Sequence, residues 1–223
     1  QNALTNEFEK RNIAKPVISV VTQVRVDKED PSFKKPSKPI GPFYTKEEAD
    51  AEAAKDGSTY VEDAGRGYRK VVPSPMPKEI VEKEAVRALV EADVLTICSG
   101  GGGIPVVAED GQYVGVEAVN DKDFSARVLA ENVDADRLII LTGVDNIYIN
   151  YNQPDQKALE QISVAEAEEY IKEGHFAAGS MLPKIEAALD FVKGDDKRKA
   201  IITSIENLEN IDKEAGTVIS QKG

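Results

Sequence analysis

Four consecutive glycines, Gly100, Gly101, Gly102 and Gly103, separate two apolar segments at residues 94–98 and 104–107. Glycine has no Cβ, so a glycine loop after a buried strand exposes backbone N–H groups that a small anion can reach. The pattern therefore favours phosphate chemistry. A tight turn between two strands explains the glycines equally well, because no G-x-x-x-x-G-K-[ST] or G-x-G-x-x-G motif follows.

Three lysines have settings that suit an anionic substrate. Lys122 stands between Asp121 and Asp123 at the start of a predicted helix, Lys184 lies in the first turn of another, and Lys38 lies in a proline-rich segment. Helix N-termini attract anions through their free N–H groups, and an adjacent ammonium adds positive charge. Two such termini together could hold a phosphoryl group, with Asp123 orienting the lysines. The alternative for each lysine is an ordinary solvated surface charge.

The amino-acid composition argues against some classes of binding partner. The 223 residues include 28 basic and 40 acidic side chains, a net charge of −12, which argues against binding to nucleic acid or to anionic membranes. One cysteine and no apolar run of about 20 residues favour a cytoplasmic setting. His175 has no second histidine or cysteine beside it, so no metal site is predicted, and Cys98 is interpreted as a buried apolar residue.

Helical and strand patterns alternate along most of the chain. This alternation predicts an α/β protein with a mainly parallel sheet between helical layers. The predicted helices cover residues 1–11, 78–92, 124–135, 181–192 and a segment that begins at Ser163 with Glu166 in the capping-box position. The predicted strands cover residues 17–24, 94–98, 104–107, 137–142, 147–150, 199–204 and 216–219.

Residues 25–77 differ from the rest of the chain. They contain most of the 11 prolines, many charges and only short apolar runs. This composition predicts a small inserted subdomain, while residues 1–24 and 78–223 form the core. A flexible linker is the alternative.

Several short sequence motifs, or words, in this chain are distinctive. In their order and spacing they resemble the carbamate kinases of the amino acid kinase family, over essentially the whole chain. The words are Glu62–Arg69, Val71–Pro75, Gly100–Val107, Gly115–Val119, Asp121–Phe124, Leu141–Asp145 and Gly174–Lys184. The resemblance implies a three-layer αβα sandwich with an open, mainly parallel sheet, a protruding subdomain that folds over the active site, and a homodimer.

The same resemblance implies a reaction and its residues. The expected reaction is reversible phosphoryl transfer between carbamoyl phosphate and MgADP, giving ATP and carbamate, with ATP synthesis in arginine catabolism as the expected role. Mg²⁺ would enter with ADP or ATP. Lys122, Lys184, Asp123 and Lys38 match catalytic positions, and Gly100–Gly103 would border the carbamoyl phosphate pocket. The nucleotide would lie near Thr142, Gly143, Asp145, Tyr148 and Met181.

The chain also departs from the family pattern. Carbamate kinases carry an amino-terminal segment with a Gly-Gly-Asn loop and a His-Gly-Asn-Gly-Pro loop, and neither word is present in this sequence. The sequence therefore leaves two alternatives to carbamate kinase activity. One is a truncated, non-catalytic chain of the same fold, and the other is another amino acid kinase, although such enzymes lack the Glu62–Gly67 word.

Overall fold

The computed structural model describes residues 1–63 and 65–223, which form two compact units. The first unit contains Gln1–Glu82 and Asp93–Lys122, and the second contains Lys83–Ala92 and Asp123–Gly223. The helices are α1 (Asn2–Lys10), α2 (Lys46–Asp56), α3 (Lys83–Glu91), α4 (Lys122–Asn132), α5 (Val164–Lys172) and α6 (Met181–Lys193). The strands are β1 (Val17–Ser19), β2 (Gln23–Arg25), β3 (Lys38–Tyr44), β4 (Thr59–Glu62), β5 (Tyr68–Val72), β6 (Glu79–Ile80), β7 (Leu95–Ile97), β8 (Ile104–Glu109), β9 (Gln112–Gly115), β10 (Arg137–Thr142), β11 (Ile147–Ile149), β12 (Lys157–Leu159), β13 (Gln161–Ser163), β14 (Lys199–Ser204) and β15 (Thr217–Ser220).

The described part of the first unit contains three small sheets together with α1 and α2. β1 pairs with β7 in parallel. A four-stranded sheet has the order β6-β2-β8-β9, in which β2 and β8 are parallel and the two outer pairs are antiparallel. Val24 of β2 and Val106 of β8 are buried at its centre. Each of these sheets encloses only a few apolar side chains.

The third sheet of the first unit lies within the proline-rich segment. Its order is β3-β5-β4, with antiparallel pairing throughout, and α2 follows β3. Thr45 caps α2 because its hydroxyl accepts a hydrogen bond from the Glu48 N–H while the Glu48 carboxylate accepts one from the Thr45 N–H. The segment therefore has regular structure. Its assignment as a separate subdomain, with residues 1–24 and 78–223 as the core, stays a prediction.

The second unit is organised around one mixed sheet in the order β10-β14-β15-β13. β10 and β14 are parallel, as are β13 and β15, while β14 and β15 are antiparallel. α6 packs on β14 and on α5. Phe191 of α6 and Ile202 of β14 are fully buried in its apolar core. The predicted capping box of α5 is present between Ser163 and Glu166.

The predicted α/β class is confirmed, and so is each predicted segment of regular structure in the second unit. Two other predicted elements, one in the first unit and one divided between the units, are wrong in extent. Residues 17–24 form β1 and β2 instead of one buried strand, and Val21 between them is 76% exposed. Residues 78–92 begin with β6, because the N–H groups of Lys78 and Val81 donate to carbonyls around β2, and α3 starts only at Lys83.

Membrane-spanning helices are not found in the described part of the chain, where no helix has the length and apolar character that crossing requires.

Candidate active site

The glycine loop, Gly100–Gly103, follows the carboxyl end of β7. A single 3-10 turn covers its first three residues, and Gly101, Gly102 and Gly103 have φ values of 70°, 105° and 77°. Ser99 before the loop is also left-handed, with φ 52°, and its N–H donates to the Thr22 hydroxyl at 2.9 Å. Side chains with a Cβ adopt such conformations at a cost, so the loop depends on glycine.

The four glycines differ in what surrounds them. A Cβ on Gly102 would lie 2.3 Å from the Asn120 carbonyl oxygen, and one on Gly103 would lie 2.5 Å from a valine methyl group. A Cβ on Gly100 or Gly101 would meet no described atom within 4 Å. The second pair of glycines is therefore needed for packing, as the turn alternative requires. The first pair leaves its backbone open to a ligand.

Unpaired polar atoms lie next to this loop. Asn120 is only 2% exposed, and both polar atoms of its side-chain amide lack a hydrogen-bond partner among the described residues. The same is true of the buried Ser99 hydroxyl. An unsatisfied buried polar group costs about 1–3 kcal/mol, and such groups in native proteins usually mark a functional or hydrated position. Asn120 was not predicted as a site residue, because nothing in its spacing distinguishes it from a loop asparagine.

Within the first unit, the structure brings Lys38 to Asp121. The Lys38 ammonium lies 2.5 Å from the Asp121 carboxylate, and the two residues are 83 positions apart in the sequence. The Lys38 side chain is 34% exposed and that of Asp121 is 13% exposed. Lys122, the next residue, is the first residue of α4, as the prediction of a helix start required.

Within the second unit, the structure brings Lys184 to Asp123. The Lys184 ammonium donates to the Asp123 carboxylate at 2.7 Å, and the side chains are 13% and 9% exposed. Asp123 is in the first turn of α4 and Lys184 is in the first turn of α6. The structure thus shows a contact between these two predicted site residues, and the role of Asp123 in orienting the lysine stays a prediction.

A cavity of about 570 Å³ opens in the second unit, and Lys184 is one of its lining residues. Four of the five predicted nucleotide residues line it too, namely Thr142, Gly143, Tyr148 and Met181. No Asp or Glu is among the described residues that line it, so its only formal charge is the lysine. The remaining lining residues are Val144, Asn150, Tyr151, Gly174, His175, Phe176, Ala177 and Ser180.

Asp145, the fifth predicted nucleotide residue, is not among the lining residues. Its carboxylate accepts a hydrogen bond from the Ser204 hydroxyl at 2.5 Å, and its carbonyl accepts one from the Thr203 hydroxyl at 3.3 Å. These contacts hold the loop after β10 against the end of β14. Its assignment to the nucleotide stays a prediction.

Two residues of the cavity wall, Asn150 and Tyr151, were not predicted as site residues. Asn150 and Tyr151 follow β11, where Asn150 and Asn152 have positive φ and turn the chain. The Tyr151 ring lies 5.9 Å from the Tyr148 ring, centre to centre. The sequence did contain a signal for this turn, because asparagine tolerates left-handed backbone and two asparagines stand here beside closely spaced tyrosines.

The remaining candidate groups show no catalytic arrangement. His175 lines the cavity, but its Nε2 lies 3.0 Å from the Glu173 carboxylate and its ring contacts Tyr170 edge to face. Cys98 is half-buried, and burial raises the pKa of its thiol. Burial likewise raises the pKa of Glu186 on α6, with a smaller contribution from Asp190.

Comparisons with known proteins identify the family of the chain. A sequence profile of the Amino acid kinase family matches residues 44–204. Carbamate kinase 1 of Enterococcus faecium is 55% identical over 222 residues, which are 99% of this chain and 71% of that protein. A structure of carbamate kinase from Giardia lamblia bound to citric acid matches with a TM-score of 0.91 and 42% identity, covering 98% of this chain and 69% of that one. The Giardia lamblia enzyme bound to AMP-PNP matches with a TM-score of 0.86 and 44% identity, covering 98% and 70%.

The chain belongs to the amino acid kinase family. Within that family, these relatives of known sequence and structure are carbamate kinases. The fold and the family that the sequence words implied are thereby confirmed. The assignment of individual residues to substrate, nucleotide or catalysis stays a prediction.

Proposed function

We propose that the protein transfers a phosphoryl group reversibly between carbamoyl phosphate and MgADP, giving ATP and carbamate. The cavity of the second unit is the observation that carries this proposal, because its described lining includes Lys184 and no carboxylate. In a protein of net charge −12, such a cavity is a local site for an anion. The carbamate kinase relatives, one of them solved with AMP-PNP, support a nucleotide as that anion.

We place the base and the phosphates of the nucleotide in separate parts of the cavity. In this proposal the base packs against Tyr148, Tyr151 and Met181, which supply apolar and aromatic surface. The phosphates lie towards Lys184 and towards Gly143, which directly follows β10. Ligands of open α/β sheets bind at the carboxyl ends of the strands, in agreement with this placement.

The chemistry needs alignment and charge neutralisation more than covalent help. A terminal phosphate oxygen of ADP attacks the phosphorus of carbamoyl phosphate, the bond from phosphorus to the carbamoyl oxygen breaks, and carbamate leaves. Lys184, held by Asp123, neutralises the transferring group, and Lys122 adds positive charge at the start of α4. Lys38 and the open backbone of Gly100 and Gly101 act on the carbamoyl phosphate side.

Magnesium belongs to this proposal as part of the nucleotide substrate. Among residues 1–63 and 65–223, no group of three His, Cys, Asp or Glu side chains is placed to hold a metal ion. Mg²⁺ in phosphoryl-transfer enzymes is commonly held by substrate phosphates and one or two carboxylates, which agrees with its arrival as MgADP. ATP synthesis in arginine catabolism, a cytoplasmic setting and a homodimer complete the proposal, all three by likeness to the family.

A coupled assay tests the proposed function. ATP formed from carbamoyl phosphate and MgADP is measured through hexokinase and glucose-6-phosphate dehydrogenase, with omission of each substrate as the control. Parallel assays with ATP and either N-acetylglutamate or UMP test for another amino acid kinase. We expect ATP formation only with carbamoyl phosphate. A folded protein that forms none would overturn the proposal and favour the non-catalytic alternative.

A further inference from the structure

Two contacts fix one end of the β3-β5-β4 sheet to the segment before α4. Lys38 begins β3 and pairs across the sheet with Val72, the last residue of β5. The Lys38 ammonium meets the Asp121 carboxylate at 2.5 Å. The carbonyl of Pro73, directly after β5, accepts a hydrogen bond from the Val119 N–H at 2.9 Å. The end of the sheet that carries Lys38 is therefore held from both strands.

The ion pair is better suited to orienting a side chain than to adding stability. A mobile lysine loses up to about 2 kcal/mol of side-chain entropy when it is fixed, which offsets most of what an exposed ion pair contributes. The Asp121 side chain is 13% exposed and that of Lys38 is 34% exposed, so the pair is only partly buried. Lysine has three N–H donors, and the contact with Asp121 occupies one. In the proposed reaction, the other two can donate to an incoming anion.

The sequence Asp121-Lys122-Asp123 contains a second carboxylate that pairs with a lysine. Its two carboxylates bind two different lysines, Lys38 by Asp121 and Lys184 by Asp123. Both lysines belong to the proposed reaction, and both arrive from distant parts of the chain. Asp121 thus has the same relation to Lys38 that Asp123 has to Lys184.

We propose that Asp121 is a positioning residue that holds Lys38 for the phosphoryl-transfer step. The proposal rests on the proposed function, since it concerns the same reaction. Without the carboxylate, Lys38 samples several rotamers and only a fraction of molecules have its ammonium in place. The effect falls on kcat, while the nucleotide cavity, which Lys38 does not line, is unchanged.

The test compares Asp121→Asn, Lys38→Met and the double variant. We expect Asp121→Asn to lower kcat about 10- to 100-fold, the range typical of residues that orient a functional group, with KM for MgADP within about threefold of the wild type. The double variant should be no slower than Lys38→Met, since Asp121 acts only through that lysine. A kcat of Asp121→Asn within twofold of wild type, or additive losses in the double variant, would overturn the proposal.

Glu109→Gln is a matched control. It breaks the Lys28–Glu109 ion pair, which also joins distant segments of the first unit but takes no part in the proposed reaction. This variant should keep the wild-type kcat. If Asp121→Asn does not fold, Asp121→Glu replaces it: the retained carboxylate should give a kcat between those of wild type and Lys38→Met, and a kcat at or below that of Lys38→Met would count against the proposal.

A second readout separates this inference from the proposed function. Acetylation of the Lys38 amine, followed by mass spectrometry, needs no turnover. We expect its rate to rise severalfold in Asp121→Asn and to stay unchanged in Glu109→Gln. If the wild type forms no ATP but Lys38 responds in this way, the proposed function fails while the positioning contact stands. An unchanged acetylation rate in Asp121→Asn would overturn the positioning contact itself.

Discussion

The two units hold their lysine–carboxylate pairs in different ways. In the second unit, Lys184 and Asp123 are nearly buried, and α6, which carries Lys184, packs on a continuous apolar core. In the first unit, Lys38 begins a strand of a small antiparallel sheet, and its side chain is one-third exposed. One pair is fixed by packing, whereas the other depends on a few individual contacts.

In the proposed reaction, this difference gives the two lysines separate tasks. A lysine that is anchored in a packed core is pre-organised for a ligand before the ligand arrives. A lysine on a thin sheet with few buried neighbours belongs to the part of a protein that opens at low free-energy cost. We therefore infer a stable nucleotide side, formed by the second unit, and a more adaptable carbamoyl phosphate side in the first.

The largest expected effect comes from Lys184→Met. We expect kcat to fall about 1,000-fold, equivalent to about 4 kcal/mol, because a preorganised cation in a water-poor cavity is lost. Nucleotide affinity should weaken as well, since Lys184 lines the cavity, whereas Lys38→Met should lower kcat without that change. Steady-state kinetics and isothermal titration with ADP measure both. The control is Lys193→Met on the same helix, and equal binding defects for Lys184→Met and Lys38→Met would abolish the distinction between the sides.

Core truncations compare the stability of the units directly. Ile202→Ala should cost about 2–5 kcal/mol of unfolding free energy, because it leaves a cavity in the continuous core. Val24→Ala in the first unit should cost about 2 kcal/mol, the value of the two methylene equivalents removed. Denaturant unfolding measures the difference, with Ile202→Val as the conservative control. A larger loss for Val24→Ala would reverse the assignment of the stable side.

Within the first unit, two substitutions in the glycine loop compare its packed half with its open half. Gly102→Ala should destabilise the protein by about 1–3 kcal/mol, since the added Cβ meets the Asn120 carbonyl and the residue has positive φ. Gly100→Ala, with open space and ordinary φ, should change unfolding free energy by less than about 0.5 kcal/mol. If Gly100→Ala nevertheless raises KM for carbamoyl phosphate, the open half of the loop binds substrate. Unchanged kinetics in Gly100→Ala would leave the loop as a turn.

The smallest effect concerns the pH dependence of the β3-β5-β4 sheet. The Ser58 N–H, and then the Lys70 ammonium, lower the pKa of Asp56 from 3.8 to about 2. Since the folded-state pKa is depressed, this stabilisation is present above pH 3.8 and is lost as the pH falls towards 2. An NMR titration of the Asp56 carboxyl should show a midpoint near 2 and, after Lys70→Met, a higher one. A midpoint of 3.8 in the unmodified protein would mean that these contacts do not persist in solution.

Strong local patterns made part of the fold predictable. β10 and β14 match the predicted strands residue for residue, because each is a continuous apolar run bounded by polar residues. α5 was marked by its capping box. The division between β1 and β2 had no such signal, since β-branched residues at 17–24 favour a strand without showing where its partner changes from β7 to β8.

The site was predictable in its residue types but not in its pairing. Lysines at helix starts and the glycine tetrad were visible in the sequence. The contact of Lys38 with Asp121 spans 83 positions, and no local spacing rule reaches that far. Asn150 and Tyr151 were missed for a similar reason, because the cavity wall forms only when the turn after β11 faces the start of α6.

Cys98 lies close enough to the glycine loop to serve as a chemical probe of it. It is the only cysteine of the sequence, it lies two residues before Gly100, and it is half-buried. Burial raises the pKa of the thiol, so little thiolate is present at neutral pH and the rate of alkylation depends on how often the surrounding backbone opens. We therefore expect the rate of Cys98 alkylation to report how often the backbone beside the loop opens, and we expect a ligand that binds at the loop to lower that rate.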